Sequence, residues 1–309
     1  MDKKLKIVFV GTPDMAPVCL DKLTDKGFNI VCAIPPKKTH ETYNFFKGFV
    51  EYKNIKLEDF KDDINEADFI EKIKNYNADI GVVCSYDLKL KKDFLKTTRL
   101  GYLNAHPSKL PQYRGAMPYF HIIKNGEKKS GVTIHFIDED YDTGDIVFQK
   151  EFDILPFETT GTLFSRTNYM LADMLCEVLS DIEQNKEIKR IKQPIGEYKK
   201  APKVENSIKI DWSKSIYEID CLIRACNPFF NAMTTFRGVD MKILKATPIE
   251  HSDHGLKTGS IARTSANCTL IAAKDGYISL DMVNLGNWGN FGAKEFFFTF
   301  TPKENEILE

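Results

Sequence analysis

The chain lacks long apolar runs. None of its 309 residues lies in a stretch that approaches the roughly 20 apolar residues needed by a membrane-spanning helix. The apolar run within the opening segment MDKKLKIVFVGTPD is far too short for a secretory signal, and it leads into turn residues. These absences predict a cytoplasmic protein with no membrane partner.

The chain also lacks an excess of either charge. Its 43 Lys and Arg residues face 44 Asp and Glu residues, and the net charge is −1, so bulk charge argues neither for nor against an anionic partner. The seven cysteines contain no C-x-x-C pair, and no histidine near Cys221 and Cys226 completes a zinc pattern. We therefore expect no metal site, and reduced cysteines that are buried as small apolar residues.

The glycine patterns of nucleotide-binding loops are missing as well. The segment Gly11-Thr12-Pro13 follows the first apolar run, as a phosphate-binding loop would, but G-x-G-x-x-G and G-x-x-x-x-G-K are both absent. A single glycine at this point is more typical of a plain turn.

What the chain does contain is apolar material for more than one domain, with an apolar fraction of 42%. The first half alternates β-branched runs with segments of helical spacing, a pattern that favours an α/β, doubly wound sheet of parallel strands. The predicted strands are Leu5–Val10, Ile30–Ile34 and Ile80–Cys84, and the predicted helices are Ala16–Leu23 and Phe69–Ile73. A further strand is expected over Ile146–Ile154, followed by a long core-facing helix over about Thr160–Ile182.

The second half reads differently. Residues 185–208 are polar and basic, which is typical of a linker. Beyond them a short helix over Tyr217–Cys226 precedes five short β runs separated by turn signals, which predict a small antiparallel barrel. The runs are Ala232–Phe236, Lys242–Ala246, Gly259–Ala262, Thr269–Ala273 and Ile278–Val283. The sequence thus predicts a first domain over residues 1–184, a linker over 185–208 and a second domain over 209–309.

The candidate chemistry lies between Tyr102 and Asp145. Asn104 and His106 stand two apart at the end of an apolar run, so they lie on the same face of a strand. A second apolar run, Val132–Ile137, leads into an acidic loop. If the two strands are neighbours in one sheet, an amide, an imidazole and a carboxylate converge, which is the equipment for stabilising an oxyanion and moving a proton in acyl transfer. The residue chemistry leaves open which acid of the loop takes part: Asp138, Glu139, Asp140, Asp142 or Asp145.

Several segments resemble a known family. Three segments are similar to the signature of the formyltransferases that use N10-formyltetrahydrofolate. They are N-A-H-P-S-K-L-P-Q-Y-R-G-A-M-P, G-V-T-I-H-F-I-D-E-D-Y-D-T-G-D and Gly11-Thr12-Pro13. Two further segments resemble the beginning of the second domain of methionyl-tRNA formyltransferase, namely I-D-W-S-K-S at Ile210–Ser215 and I-R-A-C-N-P at Ile223–Pro228. The resemblance covers nearly the whole chain. It implies a Rossmann-like catalytic domain followed by a small C-terminal β-barrel that is OB-like.

The resemblance also implies roles for individual residues. Asn104, His106 and Asp142 match the family's catalytic trio, so Asp142 is favoured over Asp145. A neutral amine attacks the formyl carbonyl, Asn104 and a protonated His106 stabilise the oxyanion, and Asp142 pairs with His106 and helps to remove the amine proton. No metal is needed. The folate co-substrate is expected against three segments, namely Ser85, Tyr86, Asp87 and Leu88; Leu110 and Pro111; and Ile137, Asp138, Glu139 and Asp140.

The identity of the amine depends on departures from the tRNA enzyme. That enzyme carries a basic insertion after its second strand, whereas here Pro35–His40 is short and is followed by the aromatic stretch Tyr43–Phe46. The family's S-L-L-P and N-P-W-P-G-A are S-K-L-P and N-P-F-F-N-A here. Since tRNA is held largely through its phosphates, these departures favour a nucleotide-linked amino sugar as the acceptor.

Two alternatives remain. Methionyl-tRNA is the second candidate acceptor, because the basic run Lys186–Lys203 offers phosphate contacts unless it is a solvated linker. A continuous positive band would favour tRNA, and an aromatic slot near Tyr43–Phe46 or Tyr113 would favour a nucleotide base. A binding protein that keeps the fold without catalysis is disfavoured, because the trio of Asn104, His106 and Asp142 is intact.

Overall fold

The first strand of the chain lies inside a mostly parallel sheet in the computed structural model, which describes residues 4–252 and 255–309. The strands of this sheet are β1 (Lys6–Gly11), β2 (Asn29–Ile34), β3 (Ile80–Cys84), β4 (Tyr102–His106), β5 (Lys129–Phe136) and β6 (Ile146–Asp153). Their order is β2-β1-β3-β4-β5-β6, with β2, β1, β3 and β4 parallel and β5 antiparallel to β4. The helices that precede residue 184 in the chain are α1 (Ala16–Asp25), α2 (Tyr43–Tyr52), α3 (Ala67–Lys74), α4 (Lys92–Leu95), α5 (Pro118–Lys124) and α6 (Thr160–Glu183).

Alternate residues of β1 face two different hydrophobic clusters. Ile7 and Phe9 belong to a cluster that includes residues of α1, α2 and α6. Val8 and Val10 belong to a second cluster that includes residues of α3 and α4. A strand that is covered by helices on both faces needs apolar side chains at every position, and this accounts for the continuous run that begins the chain. The predicted doubly wound α/β architecture is confirmed.

A second sheet is formed by the strands of the C-terminal part. They are β7 (Ser207–Lys209), β8 (Asn231–Phe236), β9 (Val239–Glu250), β10 (Ile261–Ser265), β11 (Cys268–Ala273), β12 (Gly276–Leu285) and β13 (Asn290–Gly292), with α7 (Ile216–Cys226), a 3₁₀ turn (Gly286–Trp288) and α8 (Ala293–Phe300). The order is β10-β11-β12-β9-β8-β7, and β13 pairs with β12. Near the end of the chain, Leu308 bridges Phe236 of β8, and Ile307 bridges Ser260, the residue before β10. The expected C-terminal domain of strands is therefore present.

The helix α8 is an element that the sequence does not predict. Its run A-K-E-F-F-F-T-F is rich in aromatic residues, which favour strands. It is helical here because one face is buried: Phe296 is 1% exposed, and its ring centroid lies 5.4 Å from that of Phe236. Tertiary packing has overridden local propensity in this segment.

The chain divides into two compact units that are discontinuous in sequence. The first comprises the residues up to Pro118 together with Lys129–Phe152 and Phe164–Pro202, and the second comprises Tyr119–Lys128, Asp153–Leu163 and Lys203–Glu309. The division into 1–184, 185–208 and 209–309 stays a prediction, and residues 185–202 group with the first unit. Within residues 4–252 and 255–309, no helix is long and apolar enough to cross a membrane.

Candidate active site

The candidate site is built on one face of β4. Asn104 and His106 alternate with Leu103 and Ala105, which belong to the first hydrophobic cluster. The amide and the imidazole therefore project from the opposite face, on which Tyr102 is buried. Asn104 is partly exposed, whereas His106 is only 4% exposed. The sequence expectation that the two side chains share a face is thus met.

The acidic loop reaches this face by folding back over the sheet. Because β5 runs antiparallel to β4, its last residue, Phe136, pairs with Leu103 rather than with the end of β4. The loop after β5 then returns, and Asp142 lies beside His106. The backbone of Asp142 adopts φ 57°, in the left-handed region. A turn within the loop thus places the carboxylate of Asp142 beside His106, whereas the last residue of β5 lies opposite Leu103.

Three ring or amide nitrogens surround one oxygen of Asp142. Its Oδ1 lies 3.5 Å from Nδ2 of Asn104, 3.5 Å from Nδ1 of His106 and 3.8 Å from Nε2 of His135. The other oxygen, Oδ2, accepts a hydrogen bond from the backbone N–H of Gly115 at 2.9 Å. The distances from Asn104 and His106 to Oδ1 are longer than an ordinary hydrogen bond of about 2.9 Å, so these two donors are able to turn to a substrate oxygen.

The ring of His106 is held at its far nitrogen. Its Nε2 lies 3.1 Å from the backbone carbonyl oxygen of Tyr113, which can only accept, so Nε2 carries a proton. Tyr113 itself has φ 60°, in the left-handed region. The near nitrogen, Nδ1, is left facing Asp142. Both ring nitrogens thus face oxygen acceptors, and both can donate at once only when the imidazole is charged.

His135 is a member of this cluster that sequence reasoning missed. It pairs with Asn104 across β4 and β5, is 1% exposed, and places Nε2 3.1 Å from Nδ2 of Asn104. Burial, followed by the nearby His106, lowers the pKa of His135 to about 4, against smaller opposing effects of Asp142 and the Phe136 carbonyl. The alternation of side chains in T-I-H-F indicates which residues of this strand share a face with His135. It identifies His135 as a neighbour of Asn104 only when the register between β4 and β5 is known.

Gln193 is the second residue that was missed. Its Nε2 donates to the backbone carbonyls of Asp142 and Gly144, both at 2.8 Å, and its Oε1 accepts from Nε of Arg114 at 3.1 Å. Gln193 lies in the segment that the sequence predicts to be a linker. Ala201 of the same segment is bonded to the loop after β4, since its backbone N–H donates to that loop and its carbonyl accepts from it. Part of the predicted linker therefore braces the two loops of the site.

The first segment predicted to contact folate follows β3 directly. Ser85 adopts φ 55°, and its carbonyl accepts from both the backbone N–H and the hydroxyl of Thr12. Tyr86 donates from its hydroxyl to the carbonyl of Pro35 at 2.9 Å, and burial raises its pKa. Tyr86 and Leu88 pack against the cluster that contains Tyr102, on the face that carries the trio, whereas Asp87 is exposed.

The second segment lies at the end of β4. Leu110 is 2% exposed, and its carbonyl accepts from Nε2 of Gln149 at 2.8 Å. Gln149 also donates to Oγ1 of Thr133, the residue that pairs with His106 across the sheet. Leu110, which Pro111 follows, is therefore held by side chains of β5 and β6.

The third segment predicted to contact folate has one residue packed against the core and three exposed acidic residues. Ile137 packs against the cluster that contains Tyr102. The carboxylate of Asp138 accepts from Oγ1 of Thr143 at 2.6 Å and from its own loop's backbone. Glu139 and Asp140 are exposed and pair with Lys92 at 3.3 Å and Lys89 at 3.7 Å. These three acidic side chains are thus engaged by partners within the loop or by surface lysines.

The aromatic stretch after β2 is mostly core. Tyr43 is 7% exposed and donates from its hydroxyl to Asp59 at 2.9 Å, and Phe46 is fully buried. Tyr113, which lies in the loop after β4, is 4% exposed. Phe45 is 63% exposed. Apart from Phe45, these rings are not available as an open slot for a nucleotide base.

Two family models match the chain. The model described as formyl transferase matches residues 5–179, and the model described as formyl transferase, C-terminal domain, matches residues 204–300. Together they cover the sheet that carries the trio and most of the second sheet.

Individual proteins are similar over nearly the full length. Methionyl-tRNA formyltransferase of Alkaliphilus oremlandii (strain OhILAs) is 33% identical over 310 residues, which cover 98% of this chain and 99% of that protein. The solved structure of WlaRD, a sugar 3N-formyl transferase in the presence of dTDP and 5-N-formyl-THF, has a TM-score of 0.68 at 22% identity and covers 92% of this chain and 99% of its own. That of the N-formyltransferase from Helicobacter canadensis, with folinic acid and dTDP-3-aminofucose, has a TM-score of 0.67 at 20% identity and covers 89% and 98%. At such identities the two structures establish the fold.

Proposed function

The chain belongs to the formyl transferase family, and from this premise we propose that it transfers the formyl group of N10-formyltetrahydrofolate to the amino group of a nucleotide-linked amino sugar. The family rests on the two matching models and on the 33% identity to a relative of equal length. The observation that carries the proposed chemistry is the convergence of Asn104 and His106 on Oδ1 of Asp142.

Asn104 and His106 supply the donors that acyl transfer needs. When an amine attacks the formyl carbon, negative charge gathers on the formyl oxygen, and preorganised donors lower the barrier most effectively. Nδ2 of Asn104 and Nδ1 of His106 are both 3.5 Å from Oδ1 of Asp142. Because these contacts are long, each donor exchanges a weak interaction for a strong one as the oxygen becomes charged. The donor set therefore fits a formyl carbonyl.

Asp142 supplies the base. The attacking amine must lose a proton, and the carboxylate lies next to both donors, so it is within reach of a nitrogen that approaches the same carbon. Its Oδ2 is held by the backbone N–H of Gly115, which leaves Oδ1 to act toward the substrate. The negative charge of Asp142 also supports a positive charge on His106 during the transfer.

The folate is assigned to the face of the sheet that carries the trio. Tyr86, Leu88 and Ile137 pack against the cluster that contains Tyr102 on this face, and Leu110 lies just beyond the end of β4. Folate supplies the formyl group as a carbonyl attached to nitrogen, and these segments supply backbone groups and apolar surface for its ring. Glu139 and Asp140 are left out of this assignment, because both pair with surface lysines.

The short connection after β2 supports the small acceptor. Only the residues between Ile34 and Tyr43 join β2 to α2, and Tyr86 donates to the Pro35 carbonyl within it. Of its two lysines, Lys37 and Lys38, the second pairs with Asp59 at 3.3 Å, so that charge is partly offset. A surface that grips tRNA needs several unpaired positive charges for the phosphates, and this connection does not offer them.

Methionyl-tRNA is the second candidate, and a specific observation favours it. The curated relative that is 33% identical is a methionyl-tRNA formyltransferase. In addition, residues 185–208 contain seven Lys or Arg residues against three Glu residues. Lys189, Lys192, Lys200 and Lys203 of this segment are exposed.

The acceptor is tested with a panel of amines. The purified chain and N10-formyltetrahydrofolate are incubated with nucleotide-linked amino sugars and, separately, with charged initiator methionyl-tRNA, and formylated product is measured by mass spectrometry. We expect turnover of an amino sugar with kcat/KM at least about a hundredfold above that of the tRNA, a difference of about 3 kcal/mol in transition-state binding. Turnover of the tRNA alone would refute the sugar assignment.

The catalytic assignment is tested by Asn104→Ala. Loss of one oxyanion donor is expected to lower kcat by about a hundredfold to a thousandfold. Asn267→Ala, at the exposed turn after β10, serves as the matched control and is expected to keep wild-type activity. If Asn104→Ala retains wild-type kcat for every acceptor, the proposed donor is wrong.

A further inference from the structure

His135 faces Asn104 from the neighbouring strand, β5. It lies in register with Asn104 on β5, and its side chain is 2% exposed. The ring of His106 stands at 77° to it, with 6.3 Å between the centroids. A histidine at such depth beside the reacting groups costs free energy to bury unless its nitrogens are satisfied.

The tautomer of His135 follows from its partners. Its Nδ1 lies 2.7 Å from the carbonyl oxygen of Phe136, which can only accept, so Nδ1 carries the proton. Burial lowers the pKa of His135 to about 4, so near neutral pH the ring has no second proton. Its Nε2 is therefore a lone pair, and that lone pair points at Nδ2 of Asn104, 3.1 Å away.

This lone pair fixes the orientation of the Asn104 amide. Oxygen and nitrogen of an amide are similar in shape, and only the partners decide which way it points. His135 Nε2 and Asp142 Oδ1 are both acceptors, so the NH2 group must face them. The contact to His135 is the shorter of the two, at 3.1 Å against 3.5 Å. One N–H is thus engaged by His135, and the other is directed toward Asp142 and the reacting groups.

We propose that His135 is a positioning residue, which holds one N–H of Asn104 so that the other is aimed at the formyl oxygen. This inference rests on the proposed function. An oxyanion donor contributes fully only when its geometry is set before the reaction, so an amide free to rotate loses part of that contribution. The effect belongs to the transition state, and it is therefore expected in kcat and not in KM.

Two substitutions separate the lone pair from the shape of the ring. His135→Phe fills the same space but has no acceptor, and we expect kcat for formyl transfer to fall about tenfold to a hundredfold, with KM within about twofold. His135→Gln restores an acceptor oxygen, and we expect kcat within about fivefold of wild type. Ser130→Ala, a buried polar change earlier on β5, is the control and should leave kcat unchanged. Thermal unfolding of each variant confirms that the fold is kept.

The outcomes separate the two proposals. A wild-type protein that formylates no acceptor would overturn the proposed function, whereas an active wild type with His135→Phe at the same kcat would overturn the positioning role. Equal losses in His135→Phe and His135→Gln would also overturn it, since the acceptor would then be irrelevant.

A measurement independent of activity reads the tautomer directly. In a ¹⁵N-histidine spectrum near neutral pH, the ring signal that disappears in His135→Gln is expected to be neutral and protonated at Nδ1. A ring protonated at Nε2 cannot accept from Asn104, so that result would overturn the proposal even if His135→Phe were slow.

Discussion

At the residue scale, the site depends on which side chains can donate and which can only accept. Asp142 Oδ1 is an acceptor that faces Asn104 and His106, and the Tyr113 carbonyl is an acceptor at the far side of His106. Acceptors on several sides force the amide and the imidazole to present their N–H groups. The arrangement therefore suits a reaction in which negative charge appears on an oxygen.

The depressed pKa of His135 predicts how stability depends on pH. Its ordinary pKa of 6.5 falls to about 4 in the folded protein, so between these values the unfolded chain binds a proton that the folded chain does not. Stability is full above pH 6.5 and is lost as the pH falls through this window. The loss from this one group is at most about 3 kcal/mol, and below pH 4 it changes no further.

Chemical denaturation at a series of pH values from 4 to 7 measures this effect. In His135→Gln the free energy of unfolding should depend less steeply on pH than in wild type, because the titrating group is gone. The other histidines are common to both proteins, so the difference in slope comes from His135 together with its electrostatic interaction with His106. Identical slopes would mean that His135 titrates alike in the folded and unfolded chains.

At the element scale, the direction of β5 decides how the site is assembled. If β5 were parallel to β4, the acidic loop would begin beside His106, as neighbouring carboxyl ends do. Since β5 is antiparallel, Thr133 pairs with His106, and the loop after Phe136 has to return over the sheet. A returning loop needs bracing, and residues 185–202 provide it from a distant part of the chain.

Gln193 is the residue of this segment whose substitution is expected to affect stability and activity most. Its amide donates to the carbonyls of Asp142 and Gly144, 51 and 49 residues earlier in the chain. Gln193→Leu leaves both carbonyls without this partner, which typically costs about 1–3 kcal/mol for each buried group. We expect lower thermal stability and kcat reduced about tenfold, because Asp142 is less well held.

Steady-state kinetics and thermal unfolding measure the two effects of Gln193→Leu together. Gln184→Leu, at the exposed end of α6, is the matched control and should change neither quantity appreciably. If Gln193→Leu kept the wild-type kcat while unfolding earlier, the brace would be structural only.

At the scale of the whole molecule, charge is the property that separates the two candidate acceptors. The net charge is −1, and Lys38 and Lys186 pair with Asp59 and Asp181. A nucleotide-linked sugar brings a few phosphate charges, whereas tRNA binding neutralises many and depends steeply on salt. The dependence of activity on salt thus reports the kind of acceptor without knowledge of the particular sugar.

We expect kcat/KM for the preferred acceptor to fall less than about tenfold between roughly 50 and 200 mM salt. A protein that makes about 6–10 phosphate contacts would lose about a thousandfold or more over the same range. The measurement is made with the acceptor that turns over fastest in the panel, and the ions are varied at constant pH. A steep loss would favour tRNA and the exposed lysines of residues 185–208.

By resemblance the sequence predicts Asp142 as the acid of the site, and by its local patterns it determined the α/β architecture, the C-terminal strands and the shared face of Asn104 and His106. These follow from local patterns, because apolar runs and strand alternation are written in consecutive residues. Tertiary structure alone decided the antiparallel direction of β5, the pairing of His135 with Asn104 and the reach of Gln193 to Asp142. It also decided that Tyr43 and Phe46 are core. Such features depend on which segments meet across long separations, and no local spacing encodes a partner that lies tens of residues away.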